Sequence, residues 1–226
     1  MNWEDEGFLL VKRKFRENAN IINVFTNNRG KVSGIVYGGN SRKIRNFLQI
    51  SNKIFLSHNS KGENRIGYFK TELIEPIAPI YFNDKKRTSA LLSIGSILNS
   101  ILPDSQPYRN VYNSLNDLIK NLNDKNWIIL YIFWELNLIK ELGFDQDLAS
   151  FKNNSSNGAG EIEIIVDGTR YKIPKYLVTR TIPREVTQDL IRKSLIFTRN
   201  ALHTKFFLPN NLIFPKSRII LENYFA

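Results

Sequence analysis

Nine of the first 45 residues are cationic and fall in three groups: Lys12, Arg13, Lys14 and Arg16, then Arg29 and Lys31, then Arg42, Lys43 and Arg45. Cations at this density suit one task above others, holding phosphate oxygens. Interleaved with them are Phe8, Phe15, Phe25, Tyr37, Phe47, Phe55, Tyr68 and Phe69. An exposed ring among cations can stack on an unpaired base for about 1–3 kcal/mol. A small barrel also needs large side chains inside, so most of these rings are expected in the core. Tyr37, amphipathic and beside a basic turn, is the best stacking candidate, and even there stacking is not the expectation. The expected nucleic-acid contacts are Lys12, Arg13, Arg29, Lys31, Arg42, Lys43 and Arg45. They should meet phosphates rather than base edges, since glycines such as Gly38 and Gly39 let a backbone approach phosphate closely. A merely solvated surface could carry the same charges, but their concentration in turns favours binding.

Other chemistry has weaker support. Asp145 and Asp147 bracket Gln146, and Glu161 and Glu163 share a face of an expected strand. Either pair could bind Mg²⁺, yet a metal nuclease needs several converging carboxylates and none converges with them in sequence. Asp84, Asp104 and Asp117 read as cap or surface positions. The only histidines are His58 and His203, and Cys is absent. That excludes thiolate zinc sites, Fe–S clusters and Cys nucleophiles, and leaves no plausible Ser–His–Asp set. No phosphate-binding Gly–Lys loop, dinucleotide fingerprint or zinc motif is present. No cofactor, no metal and no catalytic residue is expected.

The elements that must position these residues follow from spacing. Apolar, β-rich segments recur at Gly7–Val11, Ile21–Thr26, Val32–Tyr37, Leu48–Ser57 and Ile66–Ile74, separated by Asn- and Gly-rich turns. Five short strands at this spacing predict a small closed barrel over 1–75, of the OB type, although an SH3-like barrel would read much the same. After Pro76 and Pro79 the period becomes helical. Helices are predicted over 84–102, 108–122 and 125–142, the third apolar nearly all round and closed by Gly143 as its C′ residue. A polar loop fills 150–160, and Asp167-Gly168 between two extended runs predicts a β-hairpin near 161–173. Pro183 is expected to open a helix over 183–203, with a short apolar segment in 212–225. The fold class is α+β: an N-terminal five-stranded OB-type barrel over 1–75, then a mainly helical domain over 76–226 with a hairpin insertion near 150–175.

Composition agrees. The 226 residues carry 32 Lys and Arg against 21 Asp and Glu, a formal charge of +11. Within 1–75 the balance is 13 to 7. A surplus of this size attracts a polyanion, nucleic acid first and an acidic membrane surface second. The longest apolar run, Trp127 to Trp134, is eight residues, against about 20 needed to span a bilayer. The N-terminal stretch is acidic where a signal peptide would be basic. A cytoplasmic, nucleoid-associated protein without a membrane partner is expected.

The order of short motifs resembles a known family. Glu6-Gly7, Asn18–Phe25, Thr26, Gly30, Gly38-Gly39-Asn40-Ser41-Arg42 and Leu48-Gln49 look like the N-terminal domain of the bacterial DNA repair RecO family. Phe133-Trp134-Glu135-Leu136, Leu142-Gly143-Phe144, Asp147-Leu148 and the closing Pro215-Lys216-Ser217-Arg218 resemble its helical domain and end segment. The resemblance implies binding of single- and double-stranded DNA, annealing of complementary strands, and help in RecA loading together with RecR. It also implies docking of the acidic C-terminal tail of single-strand-binding protein on an apolar, basic-rimmed pocket, for which Arg109, Lys140, Arg192 and Arg199 are rim candidates. Lys31, Arg42 and Lys43 match the family's basic positions. Many relatives carry a four-Cys zinc lobe, whereas here 151–175 holds no Cys. A general RNA-binding OB protein and, further off, a metal-dependent nuclease remain alternatives.

Overall fold

The computed structural model describes residues 2–39, 41–60, 66–144, 160–166 and 169–226. Two compact units are present, one of 1–113 with 215–221 and one of 114–214 with 222–226. The first is built on five strands: β1 (Asn2–Arg16), β2 (Ala19–Thr26), β3 (Gly30–Tyr37), β4 (Lys53–Asn59) and β5 (Tyr68–Glu75). They close into a barrel in the order β1-β2-β3-β5-β4, with β4 pairing back onto β1. All pairings are antiparallel except β3 with β5, which meet in parallel at Ile35 and Tyr68. This is the expected OB-type barrel.

Alternation explains why these residues form strands. On β3, Val32 and Val36 are buried while Ser33 and Tyr37 are exposed, the two-residue period of a half-buried strand. The barrel core gathers Leu9, Ile22, Val24, Val32, Val36, Leu48, Ile54, Leu56 and Phe69.

One element departs from the expectation. Leu48 does not begin a strand; it closes α1 (Arg42–Phe47), which plugs one end of the barrel. Ser41 caps this helix by accepting from the Ile44 N–H, and Ile44 and Phe47 pack on the core. Ser51 takes a positive φ of 79°, and the strand resumes only at Lys53.

This unit also holds a 3₁₀ turn over Ala78–Tyr81, α2 (Lys85–Ile101), the start of α3 (Arg109–Lys120) and residues 215–221. Asp84 caps α2 by accepting from the Arg87 N–H at 3.0 Å. Burial raises its carboxyl pKa, but the hydrogen bonds and charge of Arg87 outweigh that and hold it below the ordinary value. Gly95 lets α2 lie against β1: a Cβ there would stand 2.9 Å from the Leu10 carbonyl oxygen.

The second unit is helical with one hairpin. Its central α4 (Trp127–Glu141) buries ten of its fifteen residues, among them Trp127, Tyr131 and Trp134. Gly143, at φ 89°, follows it, and its N–H reaches the Lys140 carbonyl while the Phe144 N–H reaches that of Ile139. These two bonds make the expected C′ glycine cap. Strands β6 (Glu161–Val166) and β7 (Thr169–Pro174) pair antiparallel as anticipated; the Asp167-Gly168 turn lies outside the described residues.

Downstream, a short α5 (Tyr176–Thr179) precedes the helix expected over 183–203, which forms as α6 (Gln188–Leu202) and starts at Gln188 rather than at Pro183. Thr187 sets the start of α6, its hydroxyl accepting from the Leu190 N–H at 3.2 Å. A capping threonine satisfies an orphan donor that Pro183 could not. A π-turn over His203–Phe207 and α7 (Lys216–Asn223) follow.

Candidate nucleic-acid interface

The barrel register decides which cations meet. β1 runs into β2 through Glu17-Asn18, and the Gly38 N–H at the end of β3 donates to the Asn18 carbonyl at 2.8 Å. Gly38 holds a φ of 69°, a turn conformation that glycine adopts without strain. Its carbonyl accepts from the Ser41 N–H, the residue that caps α1. The β1–β2 turn, the end of β3 and α1 therefore share one end of the barrel.

Lys12, Arg13, Arg42 and Arg45 lie at that end. Lys12 faces the barrel interior opposite Ile22 and donates from Nζ to the Leu48 carbonyl at 2.7 Å. Burial lowers its pKa, and the charge of Arg45 lowers it further, which places the two cations within electrostatic reach. Arg13, Arg42 and Arg45 are exposed, as are Lys14 and Arg16. Lys43 belongs to the same helix, and its side chain is outside the described set.

Arg29 and Lys31 are not part of this group. They flank the β2–β3 turn, at the far end of β2, roughly 24 Å away at about 3.4 Å per residue. The Arg29 guanidinium lies 4.6 Å from the centroid of the Trp3 ring, which stacks on His58. The Lys31 side chain is only 11% exposed; its ammonium donates to the Asn99 carbonyl at 2.9 Å and pairs with Asp104 at 3.2 Å. The seven expected contacts thus divide between two ends of the barrel instead of lining one groove.

The aromatic set divides too. Phe8, Phe25 and Phe69 are buried, and Phe47 and Phe55 half-buried. Phe15, Tyr37 and Tyr68 are exposed. Tyr37, the best stacking candidate in the sequence, is 57% exposed on the outer face of β3.

The hairpin carboxylates are ion-paired. Glu161 pairs with Lys193 and Lys172, and Glu163 with Arg170. Asp145 and Asp147 lie outside the described residues. His203 follows α6 at its C-terminal end. Of the rim candidates in the helical unit, Lys140 and Arg192 are exposed and Arg199 pairs with Glu222 at 3.4 Å. A hollow of about 270 Å³ lies between α3 and α4, lined by Leu118, Leu130, Phe133 and Trp134 with Asp117 and Asn137. Among the described residues the buried Trp134 Nε1 has no hydrogen-bond partner.

Fold and charge define an OB-type barrel protein with a cationic barrel end. Residues 1–77 match the family model described as "Recombination protein O N terminal", and 83–154 match "Recombination protein O C terminal". The chain belongs to the RecO family. It is 34% identical over 152 residues to the DNA repair protein RecO of Wolbachia sp. subsp. Drosophila simulans, covering 66% of this chain and 62% of the relative. The RecO of Ruegeria sp. is 32% identical over 151 residues, with 66% and 63% covered. The RecO of Hyphomonas neptunium is 35% identical over 151 residues, with 66% and 62% covered. The matched part spans somewhat over three-fifths of these relatives. A chain of Entamoeba histolytica asparaginyl-tRNA synthetase superposes with a TM-score of 0.29 at 10% identity, over 75% of this chain and 39% of that one. Among the described residues no helix is long and apolar enough to cross a membrane.

Proposed function

We propose that this chain is a DNA-binding, strand-annealing recombination mediator that acts with RecR and single-strand-binding protein to help RecA load during repair. The observation that carries the DNA-binding reading is the meeting of Lys12, Arg13, Arg42 and Arg45 at one end of the barrel. Annealing asks little else of a protein. Two strands repel through their phosphates, and cations that cover those phosphates lower the repulsion while leaving base edges free to pair. Arg13, Arg42, Lys43 and Arg45 are the phosphate contacts in this reading. Lys12, whose ammonium is committed to Leu48, adds field more than contact. RecR and single-strand-binding protein enter through family membership.

The test is annealing of complementary oligonucleotides in EDTA without ATP. Acceleration over the spontaneous rate, abolished on reversing Arg42 and Arg45 to Glu, supports the reading. Absence of acceleration overturns it, as does selective binding of RNA or cleavage that needs a metal.

A further inference from the structure

The outer face of the barrel is covered at one end and open at the other. Alternation from the core residues Val24, Val32 and Val36 places Asn23, Phe25, Lys31, Ser33, Ile35 and Tyr37 outward. Near the β2–β3 turn that face is occupied from within the same unit. Asn23 bonds Asn99 at 2.6 Å, Lys31 pairs with Asp104, and Phe25 packs edge-on against Tyr112 at 5.6 Å. Toward the β1–β2 turn the register aligns Arg13, Ile21, Ile35 and Tyr68 in one row across four strands. Arg16, Ala19 and Tyr37 form the next row.

Two rings stand on this open end. Tyr37 is 57% exposed and Tyr68 37%. Their centroids are 6.3 Å apart with planes tilted by 58°, so they are not stacked on each other. Ile21 and Ile35, in the same row as Tyr68, are half-buried. A third ring, Phe15, is the extra residue of a β-bulge between Lys14 and Arg16, and the Arg16 guanidinium stands 5.2 Å from its centroid. Bulges re-aim a side chain and are frequent beside functional sites.

We infer that Tyr37 and Tyr68, flanked by Arg13 and Arg16, form a base-stacking platform that takes successive bases of an unpaired DNA strand. Three features point to that occupant. The rings expose apolar faces where a soluble barrel would otherwise present polar side chains. The same two rows end on β1 in Arg13 and Arg16, two to three strands away at about 4.8 Å per strand, and these cations suit the phosphates linking the bases. A duplex hides its base faces, so the platform favours single strands over duplex; sequence preference should be slight, since every base has a π face. The inference rests on the DNA-binding reading and adds to it which part of the nucleotide the outer face touches.

Fluorescence anisotropy on the full chain separates the two. The probes are a dT16 oligonucleotide, a 16-unit abasic oligonucleotide with the same phosphates, and a 16-bp duplex. The wild type should bind dT16 about tenfold or more tighter than the abasic strand. Y37A/Y68A should reduce that ratio to within twofold while leaving abasic and duplex binding unchanged, which also shows that the variant is folded. Y37F/Y68F should keep the ratio. Equal wild-type affinity for dT16 and the abasic strand overturns the platform and leaves phosphate binding standing, as does a ratio that survives Y37A/Y68A. No binding to any probe overturns both readings.

Discussion

The ammonium of Lys31 lies 3.2 Å from the Asp104 carboxylate and 2.9 Å from the Asn99 carbonyl, tying the start of β3 to the end of α2 and the loop that follows. Asp104 is 72% exposed, so the ion pair itself contributes at most about 1 kcal/mol. The bond to Asn99 from a largely buried ammonium adds a contribution of about 1–2 kcal/mol. Lys31→Met, which keeps the apolar stem, should therefore lower stability by about 1–3 kcal/mol and leave DNA affinity within twofold of wild type. Urea unfolding and anisotropy on the same preparations check both halves. A stable variant that no longer binds DNA would return Lys31 to the interface.

Gly95 gives a prediction of sign. In a free helix, Gly→Ala gains about 1 kcal/mol through backbone entropy. Here the new methyl would stand 2.9 Å from the Leu10 carbonyl oxygen and 3.1 Å from Ile50 Cγ2. Backbone cannot swing aside as a side chain does, so overpacking of about 1–3 kcal/mol outweighs the gain. Gly95→Ala should be destabilised in denaturant, and Gly95→Val more so. A more stable alanine variant would show that α2 and β1 yield.

Much of the fold is legible in the sequence, and the departures have physical causes. The β3 alternation of Val32 and Val36 with Ser33 and Tyr37 is a local signal, as is the apolar surround of α4, and both elements form as expected. Helix α1 is hidden because Gly38-Gly39 and three cations read as a turn. The signal that reveals it is Ser41 as a cap followed by Ile44 and Phe47 at helical spacing. The start of α6 is displaced from Pro183 because proline is permitted at a helix start but does not require one, whereas the Thr187 hydroxyl satisfies a donor. Arg29 and Lys31 separate from Arg42 by a topological rule: consecutive turns of an antiparallel meander fall at opposite ends. Exposure of Tyr37 depends on how far α2 and α3 cover the sheet, and no local pattern encodes that.

The hairpin offers a pH test. Glu161 Oε1 accepts from Lys193 Nζ at 2.6 Å, and Lys193 also reaches Asp189 at 2.8 Å. The Lys193 hydrogen bond, with the charges of Lys193 and Lys172, holds the Glu161 carboxyl below its ordinary pKa against the opposing effect of burial. The hydrogen bonds of Asp189 and Glu161 raise that of Lys193. A depressed carboxyl stabilises the fold above its unfolded value, about 4.3, and loses that contribution as pH falls through the folded value. The raised Lys193 contributes fully below its own unfolded value, so it titrates nowhere near this window. The melting temperature of wild type should exceed that of Glu161→Gln by a constant margin from pH 5 to 7, and the margin should close below pH 4. A margin that persists unchanged to pH 3 would mean the ion pair does not anchor the hairpin.

The two barrel ends should separate in a salt series. Arg13, Arg42 and Arg45 are exposed at the α1 end, with Lys12 adding its field from within. Arg29 at the other end spends its guanidinium on the Trp3 face. Each phosphate that the protein ceases to neutralise reduces the slope of log affinity against log salt by about 0.7 on single strands. Reversal of Arg42 and Arg45 to Glu should thus lower the slope by about 1.4 and weaken binding similarly for two unrelated oligonucleotides, since phosphate contacts carry no sequence information. Folding should survive, because exposed charges on a helix contribute little to the core. Arg29→Gln should leave the slope within about 0.3 of wild type and act, if anywhere, on stability through Trp3. Circular dichroism controls for folding in both. An unchanged slope in the folded Arg42 and Arg45 variant, together with a lowered slope for Arg29→Gln, would move the phosphate path to the β2–β3 turn. The α1 end would then be a solvated surface.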